Sequence, residues 1–422
     1  MLPVEDSQQR AALRHWQRRI LITSWLTYAS LYLGRVNLAV ALPTLQGELG
    51  WTKSETGWIG TAFFWVYALG QLVNGVLGDR WSPRLFVAAG LIGSAVANLS
   101  FGFSSLLPLL VLIWGANGYV QATGWGPIMR VLGNWFGRRQ RARVTAIFGP
   151  CYTAGHVVSW LLAGLLIARV GWRAAFWAPA ALLILSAAHW VWRVRDAPAD
   201  VGLPAPEVNG TMPPRQGGMR EAWAYMLHHP RLQLAALACV CLGAVKESFT
   251  LWTPTYLSEM YQFGITQAAA NAIWLPLAGG TGVMLAGWIS HRFFRSEEAP
   301  VGMGLFAGLA LAVALYRPLV AAFGFVAIPV ALGLIGVLSN GANGLLLTAL
   351  PMTQSGEGRV SSAAGFLDFS NYAGAGIGGI LSGIMADHWG WRVAFGFWIA
   401  VATLGMLVMA AIWRRRYVSQ EV

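Results

Sequence analysis

Long apolar stretches recur along the whole chain, separated by polar connections that carry arginine or proline. Each is long enough to cross about 30 Å of hydrocarbon as a helix. The pattern predicts twelve membrane helices, at about 20–43, 56–78, 84–104, 106–130, 143–168, 173–193, 232–258, 268–290, 300–316, 319–345, 359–386 and 391–413. An even number of crossings puts both termini on one side. The long polar interruption 194–231 carries Pro198, Pro204, Pro206, Pro213 and Pro214 and divides the pattern into six and six. The expected organisation is a polar N-terminal segment 1–19, a six-helix bundle 20–193, a linker 194–231, a second bundle 232–413 and a tail 414–422.

Composition strengthens this picture. Of 422 residues, 56% are hydrophobic and 11% charged, against about 25% charged in soluble proteins. A soluble fold of this length has no place to hide so much apolar surface. The 50 glycines fit membrane helices, where glycine is more frequent, and the 22 tryptophans fit two membrane interfaces. Cys151, Cys239 and Cys241 all lie in apolar runs, which argues against a disulfide framework or a zinc site. The first apolar stretch is too long for a cleavable signal peptide and lacks a small-residue cleavage site.

The formal charge of +12 is a topology signal, not a nucleic-acid footprint. Of 29 lysines and arginines, 21 fall at the termini or in the connections on their side, and five fall in the opposite connections. That bias predicts an inner-membrane protein with both termini in the cytoplasm. Three cations remain inside predicted spans: Arg35, Arg130 and Lys246.

The two halves repeat each other. Arg143-Val-Thr and Gly171-Trp-Arg-Ala-Ala-Phe176 return as Arg359-Val-Ser and Gly390-Trp-Arg-Val-Ala-Phe395. Gly78-Asp79-Arg80 has a counterpart in Ser290-His291-Arg292. Arg35 stands eight residues before Pro43-Thr44, and Lys246 eight before Pro254-Thr255. Parallel repeats joined by a linker resemble the two pseudo-symmetric six-helix halves of a major-facilitator fold, an all-α membrane architecture with its substrate site between the halves.

Arg35 and Lys246 are the leading candidates for that site. A charge in mid-span is costly unless it faces a cavity or a partner. Two cations at matched positions would face one central axis and suit an anion: arginine offers a planar fork, lysine a point charge. The competing reading pairs each with a nearby carboxylate, Lys246 with Glu247. Tyr28 and Tyr32 lie on the helical face of Arg35; Tyr67 with Gln71, and Gln121 with Trp125, form i,i+4 pairs on the second and fourth spans. Asp368 and Asn371 on the eleventh span complete the candidate substrate-binding set. His156, Glu247, Arg130 and Asp79 are candidate proton or gating groups. Each neutral polar group has an alternative role as an interhelical hydrogen bond. No metal cluster, phosphate loop or nucleophile elbow suggests an enzyme.

Several motifs resemble the organophosphate:phosphate antiporter family. They are Gly78-Asp-Arg-Trp-Ser-Pro-Arg-Leu-Phe-Val-Ala-Ala-Gly-Leu-Ile92, Asn117-Gly-Tyr-Val-Gln-Ala-Thr-Gly-Trp-Gly-Pro127 with Arg130 and Asn134-Trp-Phe136, Arg193-Val-Arg-Asp-Ala-Pro198 with Gly202-Leu-Pro204, Trp252-Thr-Pro-Thr-Tyr-Leu257, and Ala363-Ala-Gly-Phe366. The resemblance implies alternating-access exchange of a phosphorylated metabolite for inorganic phosphate by a monomer without cofactors, the phosphate being held by Arg35 and Lys246. It departs where Val36 and Gln71 replace lysines, and where Cys151 or Tyr152 stands in place of the family's fifth-span histidine. Those departures make the site less positive and favour a larger substrate with neutral hydrogen-bonding groups. Two other readings remain open: proton-coupled symport of a carboxylate such as a sugar acid, and a sugar-phosphate sensor without transport.

Overall fold

The computed structural model describes residues 4–204, 226, 228–294, 297–350 and 360–418. Most of the linker 194–231 and the end of the tail therefore lie outside the described residues, as do the side chains of Asp79, Arg138, Arg139 and Arg141. The described part is helical throughout. Its first half holds α1 (Val4–Leu33), α2 (Asn37–Leu49), α3 (Lys53–Arg80), α4 (Pro83–Phe103), α5 (Leu107–Gln121), α6 (Trp125–Trp135), α7 (Arg138–Phe148), α8 (Pro150–Val170) and α9 (Ala174–Arg193). The second holds α10 (Pro230–Tyr261), α11 (Ile265–Ala272), α12 (Trp274–Phe293), α13 (Glu298–Phe323), α14 (Ala327–Gly344), α15 (Val360–Trp389) and α16 (Trp391–Val418).

Joined across short breaks (α1–α2, α5–α6, α7–α8, α11–α12), these helices follow the twelve apolar stretches in order. Seven described stretches are long and apolar enough to cross a membrane on length and composition alone; one of them, Glu298–Thr348, contains both α13 and α14, which pack on each other. The less apolar helices carry the polar residues of the interior: Arg35 beside α2, Tyr67 and Gln71 on α3, Gln121 on α5, Asp368 and Tyr372 on α15. The polar segment 1–19 is not separate from the first span, because α1 begins at Val4 and runs into it. Gln17 ties it down by donating to the Trp135 carbonyl at 2.8 Å.

The repeat is visible in three dimensions. Gly171 and Gly390 both adopt positive φ, 108° and 77°, at the turns into α9 and α16, a conformation that glycine takes at no steric cost. The tryptophan after each is buried and donates to a glutamate at the end of its half's first segment. Trp172 reaches Glu48 at 3.0 Å and Trp391 reaches Glu259 at 2.8 Å. Neither glutamate is conspicuous in the sequence, yet they stand at equivalent places.

At the end of the molecule away from the termini the two halves are fastened together. Asp387, at the end of α15, accepts from the backbone N–H groups of Lys53 (3.0 Å) and Ser54 (2.5 Å) and from the Ser54 hydroxyl (2.6 Å). It thus caps the first turn of α3 from the opposite half, where helix N–H groups are unpaired and the helix dipole favours a negative charge. Lys53 adds ion pairs to Asp387 (3.4 Å) and Glu259 (3.1 Å). Further inward, Thr61 donates to the Gly376 carbonyl (2.9 Å) and Trp65 to that of Ala373 (3.2 Å). Within the second half, α10 and α15 touch backbone to backbone: a Cβ on Gly243 would lie 1.8 Å from the Asn371 carbonyl oxygen.

Candidate anion site

Arg35 does not sit on a helix. The first segment breaks between Leu33 and Asn37, and Arg35 occupies the break. Breaking a helix inside a membrane frees carbonyls that lipid cannot satisfy. Here side chains from neighbouring segments do so. Gln121 donates to the Leu31 carbonyl (2.9 Å), Asn98 (3.0 Å) and Asn117 (2.8 Å) to that of Gly34, and Trp160 to that of Val36 (3.0 Å). Ser94 links the set, donating to Asn117 at 2.7 Å and accepting from Gln121 at 2.9 Å. Both Nε2 hydrogens of Gln121 are thus committed, one to the break and one to Ser94.

The guanidinium that this scaffold presents lies in an aromatic cage. Its carbon is 4.3 Å from the ring centre of Tyr67, 5.4 Å from those of Tyr32 and Phe63, and 5.6 Å from that of Tyr372. Its Nη2 donates to the Tyr372 hydroxyl at 2.8 Å, a bond between the halves. Gln71 donates to the Tyr67 hydroxyl at 2.9 Å and so supports the cage from behind. Among the described residues Arg35 has no carboxylate partner. Cation–π contacts contribute about 0.5–2 kcal/mol each, and a hydrogen bond to a charged group about 1.5–3 kcal/mol. They make the half-buried cation tolerable without neutralising it.

Lys246 is different. It lies within the unbroken α10, and its Nζ pairs with Glu247 at 2.5 Å. The carboxylate-paired reading thus describes Lys246 and not Arg35. Both cations border one central cavity, whose walls also include Tyr32, Tyr152, His156 and Tyr372. A second, smaller cavity, lined mainly by apolar residues such as Phe63, Phe64 and Trp114, meets the first at Arg35 and Glu247.

The other candidates divide by position. Tyr32 and His156 line the cavity, and their rings lie 5.9 Å apart. The His156 Nε2 is buried without a hydrogen-bond partner among the described residues. Asp368 stands one turn from Tyr372 on α15 and is partly exposed. Tyr28 backs Tyr32 from outside the cavity, packed on Trp125 (5.2 Å) and Phe148 (5.7 Å), so Tyr28 and Trp125 support the wall. Asn371 is only 2% exposed and sits in the α10–α15 seam, because Gly243 lets the two backbones close there. Arg130 is remote from the cavity: it donates to the carbonyls of Gly78 (2.7 Å) and Trp81 (3.1 Å), fastening the turn between α3 and α4. Asp79's side chain lies outside the described residues. Tyr372, Phe63, Thr250, Ser339 and Asn340 border the two cavities without having been singled out by the sequence.

A two-half helical bundle, latched at one end, with a caged cation between its halves, has the build of a membrane carrier. The sequence profile of the Major Facilitator Superfamily matches residues 24–376, and the chain belongs to that family. It is 27% identical over 418 residues to a probable hexose phosphate transport protein of Chlamydia trachomatis serovar D, covering 95% of this chain and 91% of that one. It is 30% identical over 432 residues to the glycerol-3-phosphate transporter of Bacillus subtilis, covering 97% and 95%. Among solved structures, a bacterial homologue of the human lysosomal transporter Spinster, inward-facing and unoccupied, superposes with a TM-score of 0.77 at 16% identity. That match covers 94% of this chain and 96% of the other, and supports the fold.

Proposed function

We propose that this protein exchanges a phosphorylated metabolite for inorganic phosphate by alternating access, as a monomer in the inner membrane with both termini in the cytoplasm. The observation that carries the reading is Arg35: a fixed guanidinium with no carboxylate partner among the described residues, facing a cavity shared with Lys246 at the matching place in the other half. A phosphate dianion supplies the missing counter-charge, taking the arginine fork and competing with Glu247 for the lysine. The names of the Chlamydia and Bacillus relatives, both phosphate-ester transporters, support the same class of substrate. The concentration of arginine on the side of the termini supports the orientation. With the far end latched by Asp387 and Lys53, entry in this conformation is from the side of the termini.

The test is counterflow. Purified protein in liposomes loaded with phosphate should take up labelled phosphate, and an external organophosphate should compete with it. Absence of exchange with every sugar or glycerol phosphate tried would overturn the reading. Uptake that ignores internal phosphate and collapses with a protonophore would replace it with proton-coupled symport.

A further inference from the structure

Three arginines meet around one tryptophan at the end of the molecule that carries the termini. Arg19 directly precedes the apolar stretch 20–43, and Arg193 closes the stretch 173–193, so both mark the edge of the apolar layer. The Arg19 guanidinium packs 4.4 Å from the Trp16 ring centre and 6.0 Å from that of Trp192, and the Arg193 guanidinium lies 5.6 Å from Trp192. Arg19 Nη2 (3.2 Å) and Arg195 Nη1 (3.4 Å) both donate to the Trp192 carbonyl. Two guanidiniums thus share one backbone oxygen. The Arg193 Nε has no hydrogen-bond partner among the described residues. The carboxylates that follow in sequence are engaged elsewhere: Asp196 accepts from the Ser82 hydroxyl and the Arg84 N–H, and Asp200 from the Ala197 N–H. Among the described residues none of the three arginines has a carboxylate partner.

Like charges gathered without a counter-ion repel, and a phosphate group matches guanidinium forks. The surroundings decide where that phosphate comes from. Trp192 is 67% exposed, and further along the same two helices Ile22, Leu26 and Leu185 are exposed as well. Such apolar surface meets acyl chains, tryptophan favours the interface above them, and basic pockets between membrane helices take anionic headgroups. We propose that Arg19, Arg193 and Arg195 form a site for the headgroup phosphate of an anionic phospholipid, with Trp192 at the boundary with its acyl chains. A zwitterionic lipid fits less well, because its own amine already balances the phosphate. The three arginines line neither cavity between the halves, so the site stands apart from the carrier's own anion site.

Native mass spectrometry of the purified full chain tests this without reference to transport. The protein in neutral detergent is titrated with phosphatidylglycerol and with phosphatidylcholine of the same acyl chains. Phosphatidylglycerol should bind at least about tenfold tighter, and Arg193→Gln combined with Arg195→Gln should weaken it by about tenfold while leaving phosphatidylcholine unchanged. Should that pair fail to fold, Arg195→Gln alone carries the comparison, with an expected loss of about threefold. Arg80→Gln combined with Arg292→Gln removes the same charge elsewhere at this end and should change the affinity by less than about twofold. Equal binding of the two lipids overturns the proposal, as does an unchanged phosphatidylglycerol affinity in the cluster variants or an equal loss in the control pair. Lipid retained in millimolar inorganic phosphate at constant ionic strength supports it, whereas displacement would assign the cluster to a soluble anion and overturn the lipid site.

Discussion

Arg35 and Lys246 occupy the same place in two copies of one structural unit, yet each half treats its cation differently. Arg35 stands in a helix break whose loose carbonyls are held by Asn98, Asn117, Gln121 and Trp160, all from its own half. Its charge is fixed in position and, among the described residues, has no carboxylate partner. Lys246 stands on an intact helix with a counter-ion beside it. The first is a permanent electrostatic demand; the second becomes available only when Glu247 releases it. Pseudo-symmetry thus sets the positions of the pair, and local chemistry assigns unequal roles. One half offers a rigid socket and the other an exchangeable contact.

That contrast can be broken from either side. The largest effect is expected at the socket. Arg35→Lys keeps a positive charge but loses the planar fork and its stacking on Tyr67, and phosphate exchange should fall by about a hundredfold or more; exchange at the parent rate would show that any cation suffices. At the other half, Glu247→Gln leaves Lys246 without its counter-ion. Phosphate should then bind roughly five- to tenfold tighter, in line with a partly buried charge contact of about 1–1.5 kcal/mol. Titration by thermal shift reads this directly, and weaker binding would mean that Glu247 positions the lysine instead of competing with the ligand. The smallest effect should fall behind the socket. Gln121→Leu removes one donor from the broken segment and should cost about 1–3 kcal/mol of stability. A lowered unfolding temperature with nearly parental phosphate affinity is expected, whereas lost affinity at parental stability would place Gln121 among the substrate contacts.

The sequence makes the cation pair legible because a charge within an apolar run is conspicuous, and in-register repeats such as Gly171-Trp-Arg and Gly390-Trp-Arg reveal the halves. The break at Gly34–Val36 is hidden for a physical reason. Glycine is ordinary in membrane helices, and the side chains that stabilise the break come from three other segments that periodicity cannot bring together. Tyr372 is hidden too, since a tyrosine in an apolar stretch reads as packing; its place four residues after Asp368 is the local clue. Asn371 illustrates the converse. Its polarity suggests a cavity, but the missing side chain of Gly243 draws it into a helix seam. Ser339 and Asn340 lie on a segment whose inward face only the packed structure identifies.

The cap that Asp387 places on α3 has a consequence for how the protein should respond to its surroundings. Opening that end removes a carboxylate from two backbone N–H groups, a hydroxyl and an ammonium, and leaves the helix end to water. These groups lie near the surface, where the screening length is about 8 Å at physiological ionic strength. The resistance to opening is therefore adjustable by salt, and the time the carrier dwells in this conformation should shorten as the medium at that end becomes more saline.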